Sequence, residues 1–130
     1  MTQLFDTSSL RKTALALVLS AITTLGFTQN WQETQKIVPI SRAANNSFGA
    51  ALSIHQDFAL IGAPGEDFGL PGTSPKSSAG TAYFFQKNRN GQWLQSQKVA
   101  ASDRDALDEF GVAVDLSSRT AIIGAKHVKD

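Results

Sequence analysis

An all-β fold follows from three features of the sequence. Short segments rich in β-branched, aromatic and alanine residues alternate with brief polar links. No stretch after Thr28 keeps a helical period. A block of 38 residues, Trp31 to Phe68, recurs without a gap as Trp93 to Asp130, at an offset of 62. One repeat then holds four strands in about 60 residues, the size of a β-propeller blade. The predicted architecture is all-β, about two blade-sized four-stranded antiparallel units, the second incomplete, behind a signal peptide.

The N-terminus reads as an export signal. Arg11 and Lys12 precede Thr13 to Phe27, which carries no charge. The run is shorter than the ~20 apolar residues that span a bilayer. A basic flank, a short apolar core and small residues after it make a secretory signal. The run is apolar on every face, unlike the amphipathic helix of a globular core. Thr24 and Gly26 place cleavage after Gly26. The domain reading is therefore 1–26 signal peptide, 27–47 leading strand and linker, 48–109 first blade, and 110–130 a truncated second blade.

The repeat is defined by twelve identities in one register. Trp31 meets Trp93, Gln35-Lys36 meets Gln97-Lys98, and Arg42 meets Arg104. Phe48-Gly49 meets Phe110-Gly111, and Ile61-Gly62-Ala63 meets Ile123-Gly124-Ala125. The predicted strands are 35–40, 48–54, 58–62, 81–86, 92–99, 110–116 and 120–124. Asn90-Gly91 is a tight-hairpin signal, read as a turn with positive φ at both central residues. Pro64 to Gly80 is a Gly-, Pro- and Ser-rich surface loop between the second and third strands. The recurring aromatics and glycines have packing roles: Phe48 and Phe110 plug the core between blades, and Trp31 and Trp93 cover strand starts.

The segments FGAALSI…ALIGAP and FGVAVDL…AIIGA resemble the FG-GAP repeat. The signature residues are Phe48, Gly49, Gly62, Ala63 and Pro64 in the first copy and Phe110, Gly111, Gly124 and Ala125 in the second. The GTAYFF run from Gly80 and the Trp93…Gln97-Lys98-Val99 stretch also look like this family. The resemblance implies an integrin-α-like β-propeller and a binding or adhesion scaffold. Lys126 stands where the second proline should be. The Asp-rich calcium loop of integrin-type repeats is missing, because His55-Gln56-Asp57 and Ser117-Ser118-Arg119 are too short and too poor in oxygen ligands. Calcium is therefore not expected, and no other cofactor is implied.

Composition narrows the function classes. The formal net charge is +1, and the chain after residue 26 carries equal numbers of acidic and basic side chains. That gives no electrostatic footprint for nucleic acid or an anionic membrane. The absence of cysteine excludes disulfides, thiolate metal sites and a cysteine nucleophile. Asp103, Asp105, Asp108 and Glu109 form the only acidic cluster; its aspartates are a weak metal candidate lacking a central glycine and a terminal bidentate glutamate, and a solvated loop is the expectation. Glu66 and Asp67 have no evident partner in the sequence and are expected to be solvated. His55 and His127 lack metal-ligand spacing, and no nucleophile elbow, phosphate loop or dinucleotide fingerprint occurs.

The expectation is an exported, secreted or cell-envelope, non-enzymatic module that binds a protein or glycan. It would have no membrane span after signal removal, and further blades or self-association would complete it. Two alternatives stand beside it: an accessory repeat region of a secreted enzyme, and a truncated remnant without function.

Overall fold

The computed structural model describes residues 30–127. The proposed signal peptide lies outside them. Among the described residues, 34–127 form one compact unit. Residues 30–33 have no regular structure, and Trp31 is exposed.

Six strands make up the fold: β1 Leu52–His55, β2 Phe58–Ala63, β3 Thr81–Lys87, β4 Trp93–Val99, β5 Ala113–Leu116 and β6 Ala121–Gly124. β1 to β4 form one antiparallel sheet in sequence order, and β5 with β6 begins a second. The first repeat is thus a four-stranded meander of the predicted kind. No helix occurs among the described residues.

Cross-strand partners share a face. One face of the first sheet carries Leu52, Ile54, Ala59, Ile61, Ala63, Tyr83 and Phe85. Five of these, from Ala59 to Phe85, form the buried cluster, and Ile37, Phe48 and Trp93 pack on it. Phe48 meets Tyr83 and Phe85 edge-on, with ring centroids 5.5 and 6.1 Å apart. The opposite face carries Ser53, Leu60, Gly62 and Ala82. Here β5 of the second repeat packs on β1 and β2. Leu60 is fully buried there, worth about 1.5–3 kcal/mol relative to exposure.

A β-bulge between Phe84 and Phe85 adds Ser96 to β4. The Ser96 hydroxyl donates to the Phe84 carbonyl at 3.2 Å. The extra residue puts Trp93, opposite Lys87, and Lys98, opposite Tyr83, on one face.

Four local expectations are corrected. Residues 35–40 are not a strand. By the repeat offset only 35–37 correspond to β4, at its end (97–99), and no described residue supplies a β3 to pair with them. The Gln35 side-chain amide bonds instead to the Trp93 carbonyl (2.9 Å) and N–H (2.8 Å), and the Ile40 N–H donates to Gln95 Oε1 (2.8 Å). Trp31 is exposed, while its counterpart Trp93 packs on the core. The Phe-Gly pairs precede their strands rather than starting them, because Gly49 and Gly111 have φ of 92° and 93°. In the β3–β4 hairpin only Gly91 has positive φ. Its N–H bonds to the Asn88 carbonyl at 3.0 Å, and Asn88 Oδ1 accepts from the Asn90 and Gln92 N–H groups. This is a longer turn ending in a left-handed glycine.

Candidate functional site

The long loop from Pro64 to Gly80 is anchored, not loose. Glu66 is only 2 % exposed, which overturns its expected solvation. Its Oε2 accepts from the Tyr83 hydroxyl (3.1 Å) and Asn46 Nδ2 (3.5 Å), and its Oε1 accepts from the Phe68 N–H (3.2 Å). The Glu66 carbonyl accepts the Gly80 N–H at 2.9 Å, which closes the loop at its base. Lys98 Nζ lies 5.4 Å from the Tyr83 ring centroid and donates to the Phe68 carbonyl at 2.7 Å. Burial pushes the Lys98 pKa down, with the Glu66 charge opposing.

Arg104, from the link between the repeats, fixes the loop's far side. It is buried, and its guanidinium donates to the Asp67 carbonyl (2.8 Å) and the Ser74 carbonyl (3.2 Å). Lys76 Nζ returns the contact to the Arg104 carbonyl at 2.8 Å and lies 3.5 Å from Asp105 Oδ1. The Asp67 carboxylate accepts the Ser78 N–H at 2.8 Å. Loop and link therefore hold each other rigid through groups both contribute.

Between them lies a cleft of about 450 Å³, lined by Leu70, Thr73, Ser74, Lys76 and Arg104 on one side and the Ala100–Ser102 turn on the other. The lining carries hydroxyls, cations and small apolar groups, but no carboxylate or imidazole. Phe68 and Leu70 expose apolar side chains on the loop. This surface can recognise a ligand by hydrogen bonds and apolar contact with little ordering cost, because its frame is already fixed.

The three aspartates do not converge on a cation. Asp103 is exposed. The Asp105 carboxylate accepts the Ala106 N–H and faces Lys76. Asp108 is buried rather than solvated: its carboxylate accepts the Asp105 N–H, and its carbonyl accepts the Lys126 N–H at 2.7 Å. No group of three or more His, Cys, Asp or Glu among the described residues is arranged to hold a metal ion.

The signature residues meet across the repeat boundary. A Cβ on Gly62 would overlap the Gly111 carbonyl, and one on Gly111 would overlap the Thr81 carbonyl. The second glycine of one repeat thus touches the first glycine of the next. Around this contact, the N–H groups of Leu107, Glu109 and Phe110 donate to the carbonyls of Ser77, Ser78 and Ala79 at 2.8–3.0 Å. Ala63 and Pro64 are buried beside it, and Phe110 and Ala125 are half-buried. The family model of the FG-GAP repeat matches residues 31–85 and 93–130. The chain belongs to the FG-GAP repeat family. Neither the comparison with curated proteins nor that with solved structures gave a match.

In this FG-GAP protein the sequence located the signature glycines but not Glu66 or Arg104. Arg104 had one signal, its identity with Arg42 across the repeat. Glu66 had none, since its counterpart is Val128. No helix among the described residues is long and apolar enough to cross a membrane.

Tyr83 gives a spectroscopic handle, because it is the only tyrosine. Burial foremost, with the Glu66 charge adding to it, raises its pKa above the usual 10.0. A raised folded value favours the neutral phenol. This contribution is complete below pH 10.0 and is lost as pH climbs through the folded value. Ultraviolet titration should show phenolate appearing later in the folded chain than in denaturant. Superimposable curves would show that the phenol is solvated.

Proposed function

We propose that the chain is an exported, non-catalytic FG-GAP β-propeller module that binds a protein or glycan through the 64–80 loop and its cleft. The observation that carries this reading is the cleft between that loop and the inter-repeat link, whose walls Arg104 and Lys76 brace through hydrogen bonds to backbone carbonyls. Its lining lacks the paired acid and base that hydrolytic chemistry needs. Export is supported by the basic-then-apolar N-terminus, and loop-borne recognition on a rigid sheet is a common division of labour.

The test is binding of the purified chain to a glycan array and to immobilised cell-surface proteins. Leu70→Asp places a charge at the cleft from a position already 42 % exposed, so folding should be unaffected. Binding should weaken at least about tenfold, as for a central contact residue. Leu94→Asp, on the β3–β4 hairpin away from the cleft, should leave it unchanged. Equal loss in both variants, or no saturable binding to either probe set, would refute the assignment.

A further inference from the structure

The β3–β4 turn places a reactive pair of residues at the surface. The backbone nitrogen that follows an asparagine can attack the asparagine's own Cγ, and a side chain on the following residue obstructs the approach. The chain holds five asparagines, and only Asn90 precedes a glycine. Trp31, Asn46, Ser47 and Arg89 follow the other four.

Hydrogen bonding separates these side chains further. Asn46 Nδ2 donates to Glu66 Oε2, and its Oδ1 accepts the Phe48 N–H at 3.1 Å. Asn88 Oδ1 accepts the N–H groups of Asn90 and Gln92, both at 2.9 Å, and its Nδ2 donates to Gln92 Oε1 at 3.2 Å. Both amides are held away from the backbone nitrogen that follows them. The Asn90 side chain has no hydrogen-bond partner among the described residues, and Asn90 and Gly91 are both exposed.

The attacking group is the Gly91 nitrogen. At rest its N–H is held by the Asn88 carbonyl at 3.0 Å. That bond lies in an exposed turn, where local opening costs little. The surroundings favour loss of its proton. A Cβ on Gly91 would lie 3.9 Å from Lys87 Cε, and Arg89 is two residues away. The hollow beside the turn is lined by residues 86–89 and 94–96, which include both cations and no carboxylate. Nearby positive charge favours an anionic nitrogen.

We infer that Asn90 is a site of spontaneous deamidation, with the Gly91 nitrogen as the nucleophile. That nitrogen gives its proton to a solvent base and forms a bond to Asn90 Cγ. The Cγ–Nδ2 bond breaks, and the amide nitrogen takes up a proton from solvent and leaves as ammonia. Water then opens the cyclic imide at either carbonyl, giving aspartate or isoaspartate. No electrons are exchanged with another reagent. Each product sets a carboxylate beside Lys87 and Arg89 and cancels the chain's formal net charge of +1.

Ageing the full chain in mildly alkaline buffer tests this, read by peptide mass mapping and isoaspartate-specific methylation. Asn90 should lose its amide before the other four asparagines do, and faster as pH rises. Isoaspartate should appear in the peptide holding residues 88–92. Asn90→Gln keeps a side-chain amide and the backbone bonds of the turn, but its imide ring would be one atom larger. Conversion at that position should therefore be lost. In denaturant the wild type should convert faster still, because the Asn88 carbonyl no longer holds the Gly91 N–H. An Asn90 amide that outlasts those of Asn45 and Asn46, isoaspartate that persists in Asn90→Gln, or conversion seen only in denaturant would overturn the inference.

Discussion

Gly62→Ala is expected to abolish the stacking of the second repeat on the first. The added methyl would overlap the Gly111 carbonyl oxygen, and its neighbours are backbone atoms that no rotamer change can move. The second repeat must shift away as a body. That uncovers Leu60 and breaks the hydrogen bonds from residues 107–110 to 77–79. Overlap with fixed backbone belongs to the small class of substitutions costing more than about 4 kcal/mol. Gly111→Ala should be as damaging, since its methyl meets the Thr81 carbonyl and its φ of 93° penalises any side chain. Chemical denaturation should show a large fall in midpoint for both. Gly72→Ala, with φ of 85° but open space around it, should cost only the backbone term, about 1–2 kcal/mol. If all three fall by similar amounts, the close approach is not what these glycines provide.

Glu66→Ala carries the second large effect. It leaves the fully buried Tyr83 hydroxyl and the Phe68 N–H without their acceptor. The orphaned buried phenol costs about 1–3 kcal/mol, and the Phe68 N–H, on an exposed residue, adds less. Loss of the anchor should also free the 64–80 loop and expose its base to proteolysis. Tyr83→Phe removes the donor alone, and Glu66 keeps its bonds from Phe68 and Asn46, so about 1 kcal/mol is expected. The double variant should lose less than the sum, because the phenol is no longer there to be orphaned. Strict additivity would show that Tyr83 and Glu66 do not act on one another.

The periodic part of this structure was legible. Phe48-Gly49, Gly62, Phe110-Gly111 and Gly124 mark the repeat, and four of the strands follow the residue types that favour pleated, half-buried surfaces. The reason for the glycines was not, because it lies between repeats rather than within a strand. Leu52 and Val114 read alike in sequence, yet among the described residues only Val114 rests on another sheet. The frame of the cleft was hidden for a different reason. Glu66 sits in a Gly- and Pro-rich stretch that scores as solvated, and its burial is decided by Tyr83, seventeen residues away. Trp93 and Lys98 are five apart, which in a regular strand puts them on opposite faces. Only the bulge at Ser96 brings both to the same face, and nothing in residue type announces it.

The central claim is that the two repeats stack as successive blades through their glycines. An isotope-filtered NMR measurement of proton–proton contacts between Gly62 and Gly111 tests it most directly, since the two backbones are in van der Waals contact in the fold. The account predicts a strong α-proton cross-peak between the two glycines, accompanied by peaks from Ser53 to Leu116. Cross-peaks confined to β1–β4 and to β5–β6 separately, with none between the sets, would contradict it.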